Sequence, residues 1–280
     1  MKQAICLLAF KSKEYIEKFI EQFQNHPELV FYIHWHGHTQ EECLKLKKEH
    51  SNIAYICNLF NTQRFSDQLV YAELYLYAVA IKNEEIGMCH LMSESDYLIC
   101  SPQHFVDTFN KSSNENFLEY VWHDDKVNIH RFSMFGKDFE MFKASQWKSL
   151  NRNTIIELLN NFNEIQNRMQ NFYEKFMMMV INGEWYGGAC DEIIIPSILK
   201  NILHINTDNI KSYRYVNWAK FQDHPALLNM KNYKDESYCI QDYVVLDNLI
   251  VRKIDIFDKG CQEFLNIMKN KFNMKLALKL

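Results

Sequence analysis

The run AICLLAF (residues 4–10) is almost wholly apolar, and KSKEYIEKFIEQF follows it directly, with Tyr15, Ile16, Phe19, Ile20 and Phe23 on one helical face. A short buried strand feeding an amphipathic helix is the unit from which parallel sheets are built, and the first hundred residues repeat it. LVFYIHW reads as a second strand and NIAYICNLF as a third. Ser66 can cap the helix SDQLVYAELYLYAVAIKN, which is apolar on nearly all sides and so belongs inside, and MCHLM makes a further strand. The expected order is β-α-β-β-α-β. It predicts an α/β protein with a mainly parallel central sheet flanked by helices, whose ligands bind beyond the carboxyl ends of the strands.

From about residue 100 to 150 the pattern is irregular. Thr154-Ile155-Ile156-Glu157 then matches a capping box and opens a long amphipathic helix carrying Ile155, Leu158, Phe162, Ile165, Met169, Phe172 and Phe176 on one face. A last amphipathic helix is expected near 259–270. With seven glycines, four prolines and no Ser/Gly-rich linker, the 280 residues read as one domain. Residues 1–100 are expected to form its nucleotide-binding half, and 101–280 its acceptor and catalytic half.

Composition narrows the function classes. A net charge of −4 argues against nucleic acid as a partner. The eight cysteines stand singly, several in apolar runs, and none has C-x-x-C spacing. That argues against a zinc knuckle and for a reducing, cytoplasmic setting. No stretch reaches the roughly 20 apolar residues of a membrane span, which leaves open a peripheral association with the inner membrane face.

Three groups of residues can carry chemistry. His34-Trp35-His36-Gly37-His38 puts alternate imidazoles on one side of a strand, as ligands for a metal or as hydrogen-bonding groups at a strand end. Ser93-Glu94-Ser95-Asp96 follows a strand, where its acids either hold Mg²⁺ or Mn²⁺ against a diphosphate or close a turn. No glycine-rich phosphate loop is present. In GGACDEIIIPSIL, Pro196 places the helix body close to itself or kinks the helix there. Asp191 and Glu192 then lie at the positive helix end, which favours the ionised carboxylate a general base needs.

Read together, these pieces resemble the core-2/I-branching family of β-1,6-N-acetylglucosaminyltransferases and their xylosyltransferase relatives (glycosyltransferase family 14). LLAFKSKEYIEKFIEQF is similar to the family's first nucleotide-binding unit, and FYIHWHGH stands at its I-H-x-D stretch. CHLMSESDYLICSPQHF resembles L-x-S-G-x-D-(Y/F)-P-(I/L)-K. KASQWKSLNR resembles G-S-Q-W-x-x-L-x-R, through Ser145, Gln146, Trp147, Leu150 and Arg152. Cys190-Asp191-Glu192 stands at Pro-Asp-Glu, and LIVRKID at F-A-R-K-F.

The resemblance implies a GT-A-like fold and inverting transfer from a UDP-sugar, without a metal or other cofactor. The sugar is GlcNAc first and xylose next. The implied acceptor is a glycan or glycolipid, in the building of a polysaccharide or lipopolysaccharide. Glu192 is implied as catalytic base, and Arg252 and Lys253 as the clamp on the donor diphosphate, with Lys231 or Lys234 as a further cation. Nucleotide and sugar contacts fall on Ala9, Phe10, His34, His36, Ser66, Asp96, Ser145, Gln146, Trp147 and Arg152. Acceptor contacts fall on Trp185, Tyr186 and Asp191, the last mainly holding the turn. Departures are His36 for the aspartate of I-H-x-D, Cys190 for the proline before Asp-Glu, and Cys100 near the usual lysine of the D-Y-P stretch. The alternatives are a metal-dependent hydrolase built on His34, His36 and Asp96, or a non-catalytic sugar-nucleotide-binding protein.

Overall fold

A computed structural model describes residues 1–23, 26–63, 66–118, 139–183, 189–205, 212–215, 248–252 and 254–278. Trp185, Tyr186, Lys231, Lys234 and Lys253 of the expected site lie outside the described residues. The chain divides into two compact units, neither cut from one continuous stretch. The first comprises Met1–Leu8, Val30–Met92 and Ser113–Lys211, the second Ala9–Leu29, Ser93–Ser112 and Ser212–Leu280.

The N-terminal part alternates strictly: β1 (Lys2–Ala9), α1 (Lys13–Glu21), β2 (Leu29–Trp35), α2 (Gln40–Glu49), β3 (Ile53–Cys57), α3 (Gln68–Ala80) and β4 (Ile86–Ser93). Then come β5 (Tyr97–Leu98), α4 (Pro102–Lys111), β6 (Ser149–Asn151), α5 (Arg152–Asn160), α6 (Phe162–Ile181), α7 (Cys190–Asn201), β7 (Arg214–Tyr215), β8 (Ile250–Val251) and α8 (Lys259–Leu278). The central sheet has the order β3-β2-β1-β4-β6. Strands β2 and β3 run parallel, and β6 joins β4 antiparallel, with Leu150 opposite Cys89. All residues of β1 from Gln3 to Ala9 are buried, as expected of an inner strand covered on both faces. Among the described residues no helix is long and apolar enough to cross a membrane.

The strands follow the sequence expectation; several helix limits do not. Helix α2 was absent from the expected order because only Cys43 and Leu46 of its ten residues are buried. Its signal is a capping box: Glu42 N–H donates to Thr39 Oγ1 (3.2 Å) and Thr39 N–H to Glu42 Oε2 (2.7 Å). Ser66 lies one residue before the cap of α3, and its hydroxyl accepts the Gln68 N–H at 3.0 Å. The helix expected to open at Thr154 starts at Arg152 and is two helices. Its cap is Asn151, whose side chain accepts the Thr154 N–H at 2.9 Å, while Thr154 Oγ1 accepts from Asn116. Helix α4 was missed, and α8 runs eight residues past its expected end.

In the first unit, Ile165, Met169, Phe172 and Phe176 of α6 and the Ile193–Ile195 run of α7 join α3 and α5 in one apolar core. In the second unit a small sheet of order β5-β8-β7 carries α8, which buries Cys261, Phe264, Leu265 and Met268 among Tyr97, Ile99, Val251 and Ile254. Every described cysteine is buried.

Candidate active site

In the first unit the acidic pair opens α7. Of the two readings of Pro196, a helix that begins close to it is not what is seen: α7 begins six residues earlier, and Pro196 sits inside it. A proline has no N–H, so the carbonyl four residues back, that of Glu192, loses its helical partner. The Ala144 N–H fills the gap at 2.9 Å. Further along α7, Ser197 Oγ accepts the Phe142 N–H (2.8 Å), and Asn201 exchanges hydrogen bonds with the main chain of Glu140. Segment 140–144 is therefore bonded along α7. It delivers Lys143, whose ammonium lies 3.7 Å from Glu192 Oε2. The same carboxylate oxygen accepts the Ala189 N–H at 3.3 Å, closing the helix start. The Glu192 side chain keeps 31% of its surface open to solvent.

Asp191 is buried, and its Oδ1 has no hydrogen-bond partner. Burial, and then the charge of Glu192, pushes its carboxyl up to about 7. Between about pH 4 and 7 the native chain thus holds a proton that the unfolded chain has released. Unfolding gives that proton up, so stability from this group falls as pH rises towards 7. Thermal midpoints at pH 5 and pH 7.5 are expected to differ less in Asp191→Asn than in the native chain; equal differences would count against this account.

Of the KASQWKSLNR residues, Trp147 is buried in the apolar core, and Ser145 and Gln146 are half-buried beside it. Arg152, expected at the nucleotide or sugar, instead donates to the carbonyls of Ile81 (2.8 Å), Asn83 (3.0 Å) and Ile86 (3.0 Å), tying off the end of α3. Lys148 is fully buried and donates to Glu73 Oε2 (3.1 Å) and the Gln146 carbonyl (2.8 Å).

At the carboxyl end of β2, His34 Nε2 accepts the Phe60 N–H at 3.0 Å, which places the ring proton on Nδ1. Burial, then the neighbouring His36, lowers its pKa to about 4, so the ring is neutral. The His38 ring stacks on Trp35 with centroids 3.7 Å apart. Among the described residues, no group of three potential metal ligands includes His34, His36 or His38.

In the second unit, Ala9 ends β1 fully buried, and the Phe10 and Lys11 N–H groups beyond it donate to Glu94 Oε1 at 3.1 and 3.0 Å. Asp96 Oδ2 accepts the Ser93 N–H (2.9 Å), closing the turn after β4. Its Oδ1 accepts from Arg252 Nε at 2.9 Å, across 156 residues of chain. Both partners are buried. The carboxylate after β4 is thus neutralised by a guanidinium.

The family model described as Core-2/I-Branching enzyme matches residues 6–239. The chain belongs to the Core-2/I-branching enzyme family. The apo-form glycosyltransferase GlyE of Streptococcus pneumoniae TIGR4 superimposes on 98% of this family member, with a TM-score of 0.51 and 12% identity. That likeness shows the fold, and the chain spans 64% of the length of GlyE. The 4-diphosphocytidyl-2C-methyl-D-erythritolsynthase of Anaerococcus prevotii DSM 20548 matches over 57% of the chain and 76% of its own, with 11% identity and a TM-score of 0.33. No curated protein matches significantly.

Two residues of this family member, Lys143 and Lys148, escaped the sequence reading as candidates, and Glu94 was read only as one of the acids that hold a cation or close a turn. Lys143 meets Glu192 across 49 residues, Lys148 meets Glu73 across 75, and Glu94 reaches back 83 residues to the N–H groups after β1. No local spacing encodes such pairs. A hint lay in Glu94 itself, which stands at the glycine of the L-x-S-G-x-D stretch.

Proposed function

We propose that the chain is an inverting, metal-independent glycosyltransferase that moves a sugar from a UDP-sugar to a glycan, polysaccharide or lipopolysaccharide acceptor. GlcNAc is the first choice of sugar and xylose the next. The observation that carries this reading is Glu192, a carboxylate held on a helix start by Ala189 N–H and Lys143 yet still open to solvent. Such a group can take the acceptor hydroxyl proton as that oxygen bonds to the anomeric carbon. The bond from that carbon to the diphosphate breaks on the opposite face, and its electron pair leaves with UDP. Lysine and arginine are suited to stabilise the charge that develops there. Arg252 and Lys253 are the candidates, Arg252 with its Nε already donating to Asp96.

The Asp96–Arg252 pair also supports metal independence: with Ser93 it occupies both carboxylate oxygens that a cation would need. The same engagement, together with His34 accepting from Phe60, weighs against a hydrolase built on those residues.

A panel of UDP-sugars tested for protection against thermal unfolding checks the donor class. One UDP-sugar is expected to raise the midpoint by mass action, and transfer from it is expected to be unchanged by EDTA. Protection by none of the panel, or transfer abolished by EDTA and restored by Mn²⁺, would overturn the reading.

A further inference from the structure

The acids and ammonium groups about the start of α7 do not match one for one. Three carboxyls gather there, those of Glu73, Asp191 and Glu192, with two ammonium groups, those of Lys143 and Lys148. Each ammonium already has its acid. Lys148 Nζ lies 3.0 Å from Glu73 Oε1, with both side chains fully enclosed, and Lys143 Nζ lies 3.7 Å from Glu192 Oε2. Asp191 is left over. It is 4% exposed, it has no ion pair among the described residues, and its Oδ1 has no hydrogen-bond partner.

A buried charge without a partner is costly, so such a cluster settles near neutrality. Two ammonium groups balance two carboxylates, and the third carboxyl keeps a proton. The pairings put that proton on Asp191. Burial first, and then the charge of Glu192, act in the same direction and hold the proton there up to about pH 7. Asp191 is faced by Cys190 and Glu192 on its own helix, by Glu73 on α3 and by Lys148 ahead of β6. Burial drives the Cys190 thiol upward, so it stays protonated and adds no charge.

Transfer upsets this balance. Once Glu192 holds the acceptor proton, a single carboxylate would remain for two enclosed ammonium groups. Resting on Glu192 as the base, we infer that Asp191 is a positioning residue that acts through Glu192: it keeps the one proton of the cluster at rest and releases it as Glu192 takes a proton from the acceptor. The acceptor O–H bond breaks, its oxygen bonds to the anomeric carbon, and its proton bonds to Glu192. The O–H bond of Asp191 breaks in turn, and that proton passes to water. Before the next turnover Glu192 yields its proton to water and Asp191 takes one back. Two carboxylates therefore face two ammonium groups at each stage.

A cycle of thermal midpoints tests this with no substrate present. The native chain, Asp191→Asn, Glu192→Gln and the double variant are each unfolded at pH 5 and pH 7.5. Glu192→Gln stands in for the base with its proton on. It leaves two carboxyls for two ammonium groups, so Asp191 should be ionised at both pH values. The part of the midpoint difference that Asp191→Asn removes is therefore expected to fall by more than half in the Glu192→Gln background. An equal part in both backgrounds means that the two carboxyls titrate independently, and overturns the inference alone.

Initial rates of UDP release give the second readout. Asp191→Asn is expected to turn over the UDP-sugar found by thermal protection about tenfold more slowly, since a like charge beside a carboxyl changes its hold on a proton by that order or more. Its UDP affinity, and its midpoint at pH 7.5, are expected to hold, because the change removes a buried carboxyl that has no partner. A side chain that only shaped the turn would lose stability and turnover together. Native-like turnover by Asp191→Asn overturns the inference and leaves Glu192 as the base. Native-like turnover by Glu192→Gln removes the base, and the inference falls with it. Should Asp191→Asn not fold, Asp191→Ala removes the same carboxyl and takes its place in both measurements.

Discussion

Glu192→Gln is expected to lower transfer by about 10²–10⁴-fold while leaving UDP affinity within about twofold of the native chain. Glutamine keeps the shape of the side chain and an oxygen that can still accept the Ala189 N–H, so the start of α7 should stay closed. What it loses is the ability to take a proton. The neighbouring Lys143, whose ammonium lies 3.7 Å from Glu192 Oε2, would still face the polar amide oxygen. The loss should therefore fall on turnover and spare donor binding, as removal of an interaction made only in the transition state does. Initial rates with the UDP-sugar found by thermal protection, set beside a UDP titration, check both halves. Retained turnover removes Glu192 as the base. Lost UDP binding together with lost turnover would point to a damaged helix start.

Lys148→Met is expected to destabilise the protein by about 3–5 kcal/mol, one of the larger losses a single substitution can cause. Lys148 and Glu73 are both fully enclosed, with the ammonium 3.0 Å from Glu73 Oε1. Burial pushes the Glu73 carboxyl up, and Lys148 is the main influence pulling it back towards the ionised form. Without the lysine a fully buried carboxylate is left with Tyr77 beside it, or must take up a proton. The cost of the single change is therefore mostly that of the orphan. Glu73→Leu combined with Lys148→Met removes both charges and is expected to recover most of the loss. Urea titrations of the four proteins measure the coupling. A single variant within about 1 kcal/mol of the native chain would show that the enclosed pair contributes little.

Periodicity carried the central strands into view because they are covered on both faces and so are apolar throughout; β1, β2 and β4 lie where the apolar runs put them. It failed for α2, where two buried positions in ten leave too thin a stripe to read, although Thr39 and Glu42 spelled out its start. It also ran α5 and α6 together, because the apolar spacing continues across Asn161 while the backbone does not. Glu192 could be picked from sequence because acids and glycines cluster locally about it. The partners that fix its neighbourhood come from far along the chain. The Ala144 N–H answers a proline four residues beyond Glu192, and Arg252 answers Asp96 from 156 residues away. Three-dimensional closure chooses such pairs, and residue order leaves them silent.

The proline in α7 has a consequence for how firmly the base is seated. In an uninterrupted helix the first turn can fray on its own, since only bonds inside that turn hold it. Here the main-chain oxygen of Glu192 is anchored by Ala144, outside the helix. The first turn cannot loosen without dragging a second segment of backbone. Solvent exchange at the single amide of Ala144 therefore becomes a gauge of the seating of Glu192, readable with no substrate present.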